Sequence, residues 1–79
     1  MKITIKYFAF FKEKTGVTHE QMEVSSDTTI DDLLGIIMKK YNIENKENIV
    51  LSLNQEYVKN DVKLHDGDEL AIMIPPSGG

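Results

Sequence analysis

The segment Pro75-Pro76-Ser77-Gly78-Gly79 closes the sequence, and its residue types and spacing could do chemistry. A chain that ends at Gly79 carries a free α-carboxylate, whose ordinary pKa of about 3.5 leaves it ionised at neutral pH. An ionised carboxylate can attack a phosphorus centre, and the mixed anhydride that forms is an electrophilic acyl group. The backbone carboxylate of Gly79, with Gly78 beside it, is therefore a candidate reacting group, and the rest of the sequence has to show whether it is used.

The composition of this tail suits delivery of the carboxylate into a cleft on another protein. Five extended residues span at most roughly 17 Å. Gly78 and Gly79 lack a Cβ, so a narrow tunnel can close around their backbone. Pro75 and Pro76 restrict the base of the tail, which lowers the entropy lost on insertion. The alternative is a disordered tail without a role.

The overall composition excludes several classes of protein. The 79 residues carry a net charge of −4 and include no arginine, whereas nucleic-acid binders cluster Lys and Arg on one surface. The absence of cysteine excludes disulfides, thiolate metal sites, iron–sulfur clusters and cysteine nucleophiles. We expect an acidic protein of the cytoplasm whose partners present basic surfaces, and which binds neither nucleic acid nor a membrane.

The remaining polar candidates favour structural roles. His19 and His65 lack the helical i, i+4 spacing to a second ligand that a metal site would need, so we predict ordinary surface histidines. Asp66 and Asp68 flank Gly67, and we predict that they form a turn through bonds to the backbone rather than act as an acid–base pair. No metal site and no bound cofactor are expected.

Hydrophobic periodicity predicts the first half of the fold. Residues 2–8 and 19–24 alternate as strands do, with Ile3, Ile5 and Tyr7 on one face of the first. Gly16 is expected to end a short helical turn. Apolar residues recur on one helical face over 30–41, which predicts a core helix with Thr29 as N-cap and Asp32 as an imperfect capping-box partner. Gly35 interrupts this helix and suggests close packing there.

The second half predicts three further strands. Two short extended pieces surround Asn54-Gln55-Glu56, which indicates a hairpin. Residues 69–74 are almost continuously apolar, which is typical of a central strand buried on both faces. The element order predicts an α+β domain of the β-grasp (ubiquitin-like) type over residues 1–74, with a mixed five-stranded sheet packed on one main helix. Residues 75–79 would follow as an extended tail.

The uncovered side of the predicted sheet carries a candidate partner-binding surface. Alternation places Phe8 opposite Ile3, and Ala71 and Met73 on the outer face of the last strand. Exposed Phe and Met that are contiguous on a sheet indicate a site for another protein. Alternatively, the turn that carries Phe10 and Phe11 covers Phe8.

Three segments carry a resemblance to a known family: "YFAFFKEKTG", "DGDELAIMI" and the terminal "PPSGG". Together they resemble the sulfur-carrier members of the ubiquitin-like superfamily, and most of all the MoaD-type small subunits of molybdopterin synthase. The similarity covers essentially the whole chain. Members of that family usually have one more residue between the prolines and the glycines, where this chain has Ser77 alone.

The resemblance implies a reaction at Gly79. An ATP- and Mg²⁺-using activating enzyme would adenylate its carboxylate, and a sulfur donor would convert the acyl-adenylate to a thiocarboxylate. A larger catalytic subunit would use that sulfur to build molybdopterin, with Pro75, Pro76 and Ser77 held by the partners. The chain itself would be a carrier subunit that binds no cofactor and has no self-contained active site.

Three other functions stay open. Within the same superfamily these are a thiamine-pathway sulfur carrier and a protein modifier joined to lysines through Gly79. From a different class comes a β-grasp interaction module without covalent chemistry. Such a module would tolerate a blocked Gly79, whereas a carrier would not.

Overall fold

The structure, a computed structural model, describes residues 1–44 and 48–74. It contains five strands and two helices in the order β1 (Lys2–Tyr7), α1 (Phe10–Thr15), β2 (His19–Glu23), α2 (Ile30–Tyr41), β3 (Val50–Leu53), β4 (Glu56–Val58) and β5 (Glu69–Met73). The predicted tail and its site residues, Pro75, Pro76, Ser77, Gly78 and Gly79, lie outside the described residues. The observed β1, β2 and β5 each end one residue before the predicted end, at Tyr7, Glu23 and Met73.

The strands form one mixed sheet in the order β2-β1-β5-β3-β4. β1 and β5 are parallel neighbours, whereas the other three pairs are antiparallel. The prediction of a central final strand is therefore confirmed, since β5 pairs with β1 on one side and β3 on the other. This arrangement is the predicted β-grasp fold, with the last strand of the chain inserted beside the first.

One face of the sheet packs on α2. The side chains of Ile3, Ile5 and Tyr7 point to this inner face and are at most 2% exposed, as the alternation of β1 predicts. The predicted helical face supplies the opposing layer of the core, formed by Ile30, Leu33, Leu34, Ile37 and Met38. The core lies between this face and α2, and within residues 1–44 and 48–74 no second layer covers the opposite face of the sheet.

The ends of α2 are defined by its own side chains. The Thr29 hydroxyl accepts from the Asp32 N–H, and the Asp32 carboxylate accepts from the Thr29 N–H, both at 3.1 Å. The capping box is therefore complete, although aspartate is shorter than the usual glutamate. Asn42 ends the helix with a left-handed backbone, and its N–H donates to the Met38 carbonyl.

The inference of close packing at Gly35 is wrong. A Cβ built on this glycine meets no atom within 4 Å, so space is not the reason for its presence. We expect Gly35→Ala to raise the free energy of unfolding by about 0.5–1 kcal/mol, because alanine has the higher helix propensity. Urea denaturation measures the change. In Gly16→Ala the same substitution falls on a left-handed backbone with φ of 76°, and we expect a loss of stability there.

The predicted hairpin between β3 and β4 is confirmed, but its turn is shorter than predicted: it consists of Asn54 and Gln55, because Glu56 already begins β4. Both residues have positive φ, 51° and 72°, which is the geometry of a two-residue type I′ turn. The Asn54 side chain also accepts from the Glu69 N–H at 3.0 Å and donates to Asp68 at 2.9 Å. The turn therefore fixes the start of β5 as well as its own hairpin.

Candidate functional site

The described part of the chain finishes just after β5, at the end of the sheet where β1 also ends. Parallel pairing sets Tyr7 beside Ile72, and the Phe8 N–H donates to the Ile72 carbonyl at 3.2 Å. Met73 and then Ile74, the last residue described, follow Ile72 in the chain. The predicted tail with the Gly79 carboxylate would therefore begin at the end of the sheet that carries Phe8 and the start of α1.

Phe8 is exposed at this end of the sheet. Its side chain is 45% accessible, whereas Phe11 is fully buried and Phe10 packs edge-on against Phe11 with ring centroids 5.4 Å apart. The alternative that the following turn covers Phe8 is therefore wrong.

Ala9 makes the sharp bend that separates these side chains. Its backbone has φ of 47° and ψ of −116°, a conformation that favours glycine. The Phe11 N–H bonds to the Phe8 carbonyl and the Glu13 N–H to the Ala9 carbonyl, both at 3.1 Å. Strained non-glycine residues of this kind often occur at binding sites. The bend directs Phe8 outward and Phe11 into the core.

A groove of about 350 Å³ crosses the open face of the sheet, and we call it the outer groove. The predicted residues Phe8, Ala71 and Met73 line it together, with Lys6, Ser52, Tyr57 and Glu69. Leu70 and Ile72 are buried, but Ala71 and Met73 are only partly covered. The prediction that β5 is buried on both faces is therefore wrong, because no second layer of the described residues covers its outer side.

The register of the sheet explains why the groove exists. Ala71 pairs with Lys6 on one side and with Ser52 on the other, and Ser52 pairs with Tyr57. Residues paired across strands point to the same face. Two small side chains thus form the floor between larger neighbours. Tyr57 stands at the rim, 81% exposed on the edge strand.

An ion pair forms one wall of the outer groove. The Lys6 ammonium lies 3.1 Å from a carboxylate oxygen of Glu69, and both side chains are less than half exposed, 45% and 39%. An exposed pair of this kind contributes little to stability. Its two charges nevertheless neutralise each other within the groove.

Asp66 and Asp68 form the predicted turn. The Asp66 carboxylate accepts from the Lys2 N–H, and the Asp68 carboxylate from the His65 N–H, each at 2.7 Å. The Lys2 carbonyl accepts from the Gly67 N–H at 2.9 Å. These bonds join the start of β1 to the start of β5, at the end of the sheet opposite the tail. The turn-forming role is confirmed.

Sequence reasoning missed a cluster of polar side chains around Glu20, next to the end of β1. Glu20 accepts from the Tyr7 hydroxyl at 2.6 Å, from the Tyr41 hydroxyl, and from the Lys40 ammonium at 2.8 Å. The two tyrosine rings meet edge to face, with centroids 6.1 Å apart. The cluster joins β1, β2 and the last turn of α2, and it holds the residue that precedes Phe8.

The pKa values of this cluster follow from burial and hydrogen bonding. Burial raises the pKa of Tyr7 and of Tyr41, and the bond to Glu20 raises both further. Burial alone would raise the pKa of Glu20, but the bonds from Lys40, Tyr41 and Tyr7 outweigh it and lower the pKa. The hydrogen bond to Glu20 raises the pKa of Lys40. Glu20 is therefore a structural anion at neutral pH.

The two histidines are exposed. His19 lies on the outer face of β2, and His65 precedes the turn at the opposite end of the sheet. Within residues 1–44 and 48–74, no three His, Asp or Glu side chains lie close enough to hold a metal ion. Neither helix of the described chain is long and apolar enough to cross a membrane.

Comparison with known proteins places this geometry in context. The model of the ThiS family matches residues 5–79. The molybdopterin synthase sulfur carrier subunit of Chlamydomonas reinhardtii is 39% identical over 83 residues, which cover 100% of both chains. SAMP1 of Haloferax volcanii, a small archaeal modifier protein, is 26% identical with a TM-score of 0.84 over 100% of both chains. Subunits 1 and 2 of the Helicobacter pylori molybdopterin-converting factor were solved as a complex. The matching chain there has 22% identity and a TM-score of 0.71 over 100% of both chains, which supports the fold alone.

Proposed function

We propose, from the premise that this chain belongs to the ThiS family, that it is the sulfur carrier subunit of a molybdopterin synthase. The observation that carries this proposal is the full-length similarity to a sulfur carrier subunit, which extends through the terminal glycines. Met73 lines the outer groove and lies two residues before Pro75 in the sequence, so one partner can bind the groove and the tail together.

The proposed reaction occurs at the Gly79 carboxylate. A carboxylate oxygen attacks the α-phosphorus of Mg²⁺-bound ATP in an activating enzyme, and pyrophosphate leaves. A donor at the sulfide oxidation level then attacks the acyl carbon, AMP leaves, and Gly79 carries a thiocarboxylate. The thiocarboxylate sulfur then attacks an electrophilic carbon of the acceptor and displaces a leaving group there, which gives a thioester between Gly79 and the acceptor. Water cleaves the acyl–sulfur bond of this thioester, so the sulfur stays on the acceptor and the Gly79 carboxylate is restored.

The division of labour follows from where this chain places its polar groups. Glu20, Asp66 and Asp68 are occupied in bonds that stabilise the fold. The acid–base and phosphate chemistry therefore belongs to the activating enzyme and to the large catalytic subunit. This chain supplies the acyl group, the tail that delivers it, and a docking surface at Phe8, Ala71 and Met73. We place these steps in the cytoplasm, where a chain without cysteine needs no oxidising environment.

Intact-mass spectrometry of the protein purified from its own organism tests this function. We expect a fraction of molecules in which one sulfur replaces one oxygen, located at Gly79 by fragmentation. A matched protein with one additional residue after Gly79 should show no such exchange. Exclusively unmodified carboxylate, in cells that are actively making the cofactor, would contradict the proposal.

A protein modifier is the second candidate, favoured by the similarity to SAMP1. Modification would join Gly79 to lysine side chains of other proteins by isopeptide bonds. Immunoblots of the same lysates distinguish the two functions, because a modifier produces a ladder of heavier conjugates. A metabolic carrier appears as the free protein and as its thiocarboxylate.

A further inference from the structure

We infer that the outer groove accepts one protruding apolar side chain of the large subunit, and that the Lys6–Glu69 pair keeps this groove electrically neutral when it is covered. The inference rests on the proposed function and deepens it, since it states how the subunit that receives the tail is recognised. Its basis is the combination of a small-residue floor, an exposed aromatic rim and a self-paired wall.

The floor of the groove is shaped to receive a side chain. Ala71 and Ser52 are register partners in the centre of the sheet, and they lie between larger residues of the outer face. Their short side chains leave a depression where a typical sheet surface would be filled. Because β5 and β3 are both central strands, the backbone beneath this depression is held by neighbours on each side. The depression is therefore rigid, as a specific binding pocket requires.

The rim has the chemistry of an interface anchor. Tyr57 is 81% exposed on a strand of three residues, and Phe8 is 45% exposed on the opposite side of the groove. Tyrosine is enriched among the residues that dominate binding energy, because it combines a large apolar area with few rotatable bonds. An aliphatic or aromatic side chain placed between Phe8 and Tyr57 would exclude water from all three groups.

The position of the groove identifies the partner that fills it. Met73 lines the groove, and Ile74, from which the tail continues, is the next residue. The activating enzyme and the large subunit both have to take the tail, so both meet this end of the sheet. Of the two, the large subunit is the one for which a complex with a related carrier was solved, that of subunits 1 and 2 of the Helicobacter pylori factor, and we assign the groove to it. An apolar side chain of that subunit can enter the groove while the tail enters its active centre.

The ion pair explains how an apolar partner can cover charged groups. A charge that becomes buried without a partner is costly, whereas Lys6 and Glu69 already lie 3.1 Å apart on the free domain. The large subunit consequently needs no complementary charge at this wall. Removal of one member should weaken binding, whereas exchange of the two charges should preserve it.

The floor is tested by filling it. We expect Ala71→Leu to weaken binding of the large subunit of the same organism at least ~30-fold by isothermal titration calorimetry, the effect expected at a dominant interface residue. Tyr57→Ala should weaken it ~10-fold. Gln21→Leu places a leucine on the same face, on β2 outside the groove, and should bind within ~2-fold of the unmodified protein. Equal affinity of Ala71→Leu and Gln21→Leu would overturn the inference.

The wall is tested by a charge exchange. Lys6→Ala alone should weaken binding ~10-fold because it leaves Glu69 unpaired under the partner. The double variant with Lys6→Glu and Glu69→Lys should return to within ~3-fold of the unmodified affinity. If the double variant binds as weakly as Lys6→Ala, the large subunit distinguishes the positions of the positive and negative charges, and the inference of a neutral wall is wrong.

Two measurements separate failure of this inference from failure of the proposed function. Thermal unfolding of each variant shows whether the domain is intact, and mass spectrometry shows whether Gly79 accepts sulfur in the unmodified protein. Sulfur at Gly79 with a groove that tolerates Ala71→Leu contradicts the groove inference alone. If the unmodified protein neither carries sulfur nor binds the large subunit, both proposals fail.

Discussion

Removal of Gly79 is expected to abolish sulfur transfer while the stability of the domain stays unchanged. The deletion makes Gly78 the terminal residue and withdraws the carboxylate by one residue, about 3.5 Å of extended chain. Misplacement of a reacting group by about 1 Å can already cost ~10²-fold in rate. We therefore expect a loss of at least ~10³-fold in a reconstituted assay with the activating enzyme, a sulfide donor and the large subunit.

Two controls accompany this deletion. Ser77→Ala keeps the length of the tail and should retain most of the activity. Thermal unfolding of the truncated protein should match that of the full chain, because the sheet and the core are built from residues up to β5, which ends at Met73. Normal sulfur transfer by the truncated protein would show that its chemistry does not depend on Gly79.

Glu20→Ala is expected to destabilise the domain by about 2–3 kcal/mol. The substitution removes the acceptor of the Tyr7 hydroxyl, and Tyr7 is only 2% exposed. A buried donor that loses its partner bears the cost of its own desolvation, which is greater when the lost partner is charged. For a domain of this size, the midpoint of thermal unfolding should fall by roughly 10–20 °C. Calorimetry measures both quantities.

A double-mutant cycle assigns this loss to the hydroxyl. In a Tyr7→Phe background only the partly buried Tyr41 hydroxyl and the exposed Lys40 ammonium lose their acceptor, so Glu20→Ala should cost clearly less than it does alone. Glu23→Ala is the matched control on the same strand, since the Glu23 side chain is 73% exposed and should matter by no more than about 0.5 kcal/mol. Equal losses for Glu20→Ala and Glu23→Ala would contradict a structural role for the cluster.

The same cluster predicts a dependence of stability on acid pH. The pKa of Glu20 is lowered in the folded state, so its ionised form stabilises the fold at pH values above about 4.3, the ordinary pKa of glutamate. This contribution is lost as the pH falls through the lower folded pKa. Urea denaturation between pH 3 and 7 should show a steeper acid loss in the unmodified protein than in Glu20→Gln. Parallel curves would show that Glu20 does not titrate differently in the two states.

The sequence predicts the elements of this fold well where periodicity is regular. The alternation of Ile3, Ile5 and Tyr7 identifies the buried face of β1, and the apolar stripe of α2 gives both ends of the helix. The same reasoning was wrong for the outer face of β5. Ala71 and Met73 are apolar in type, and a run of apolar residues does not reveal whether a second layer covers them.

The Glu20 cluster shows a different limit. Its members come from β1, β2 and α2. Because the hydrogen bonds join residues 13 to 21 positions apart, no local sequence pattern predicts that these side chains meet. The available signal was indirect. Tyr7 and Tyr41 both fall on predicted core faces, and a buried tyrosine hydroxyl needs an acceptor. Tyr57 likewise carried no signal, because its exposure depends on the position of β4 at the sheet edge.

The parallel pairing of β1 with β5 has a consequence for biosynthesis. The sheet cannot be completed during translation until β5 has left the ribosome, because β5 is the central strand and pairs with both β1 and β3. Contacts between the ends of a chain also make folding slower than local contacts would. A nascent chain, or one truncated before β5, therefore lacks the paired ends of β1 and β5. An activating enzyme of the kind proposed above, if it requires this end of the sheet, would consume ATP only on carriers whose last described strand is synthesised and folded.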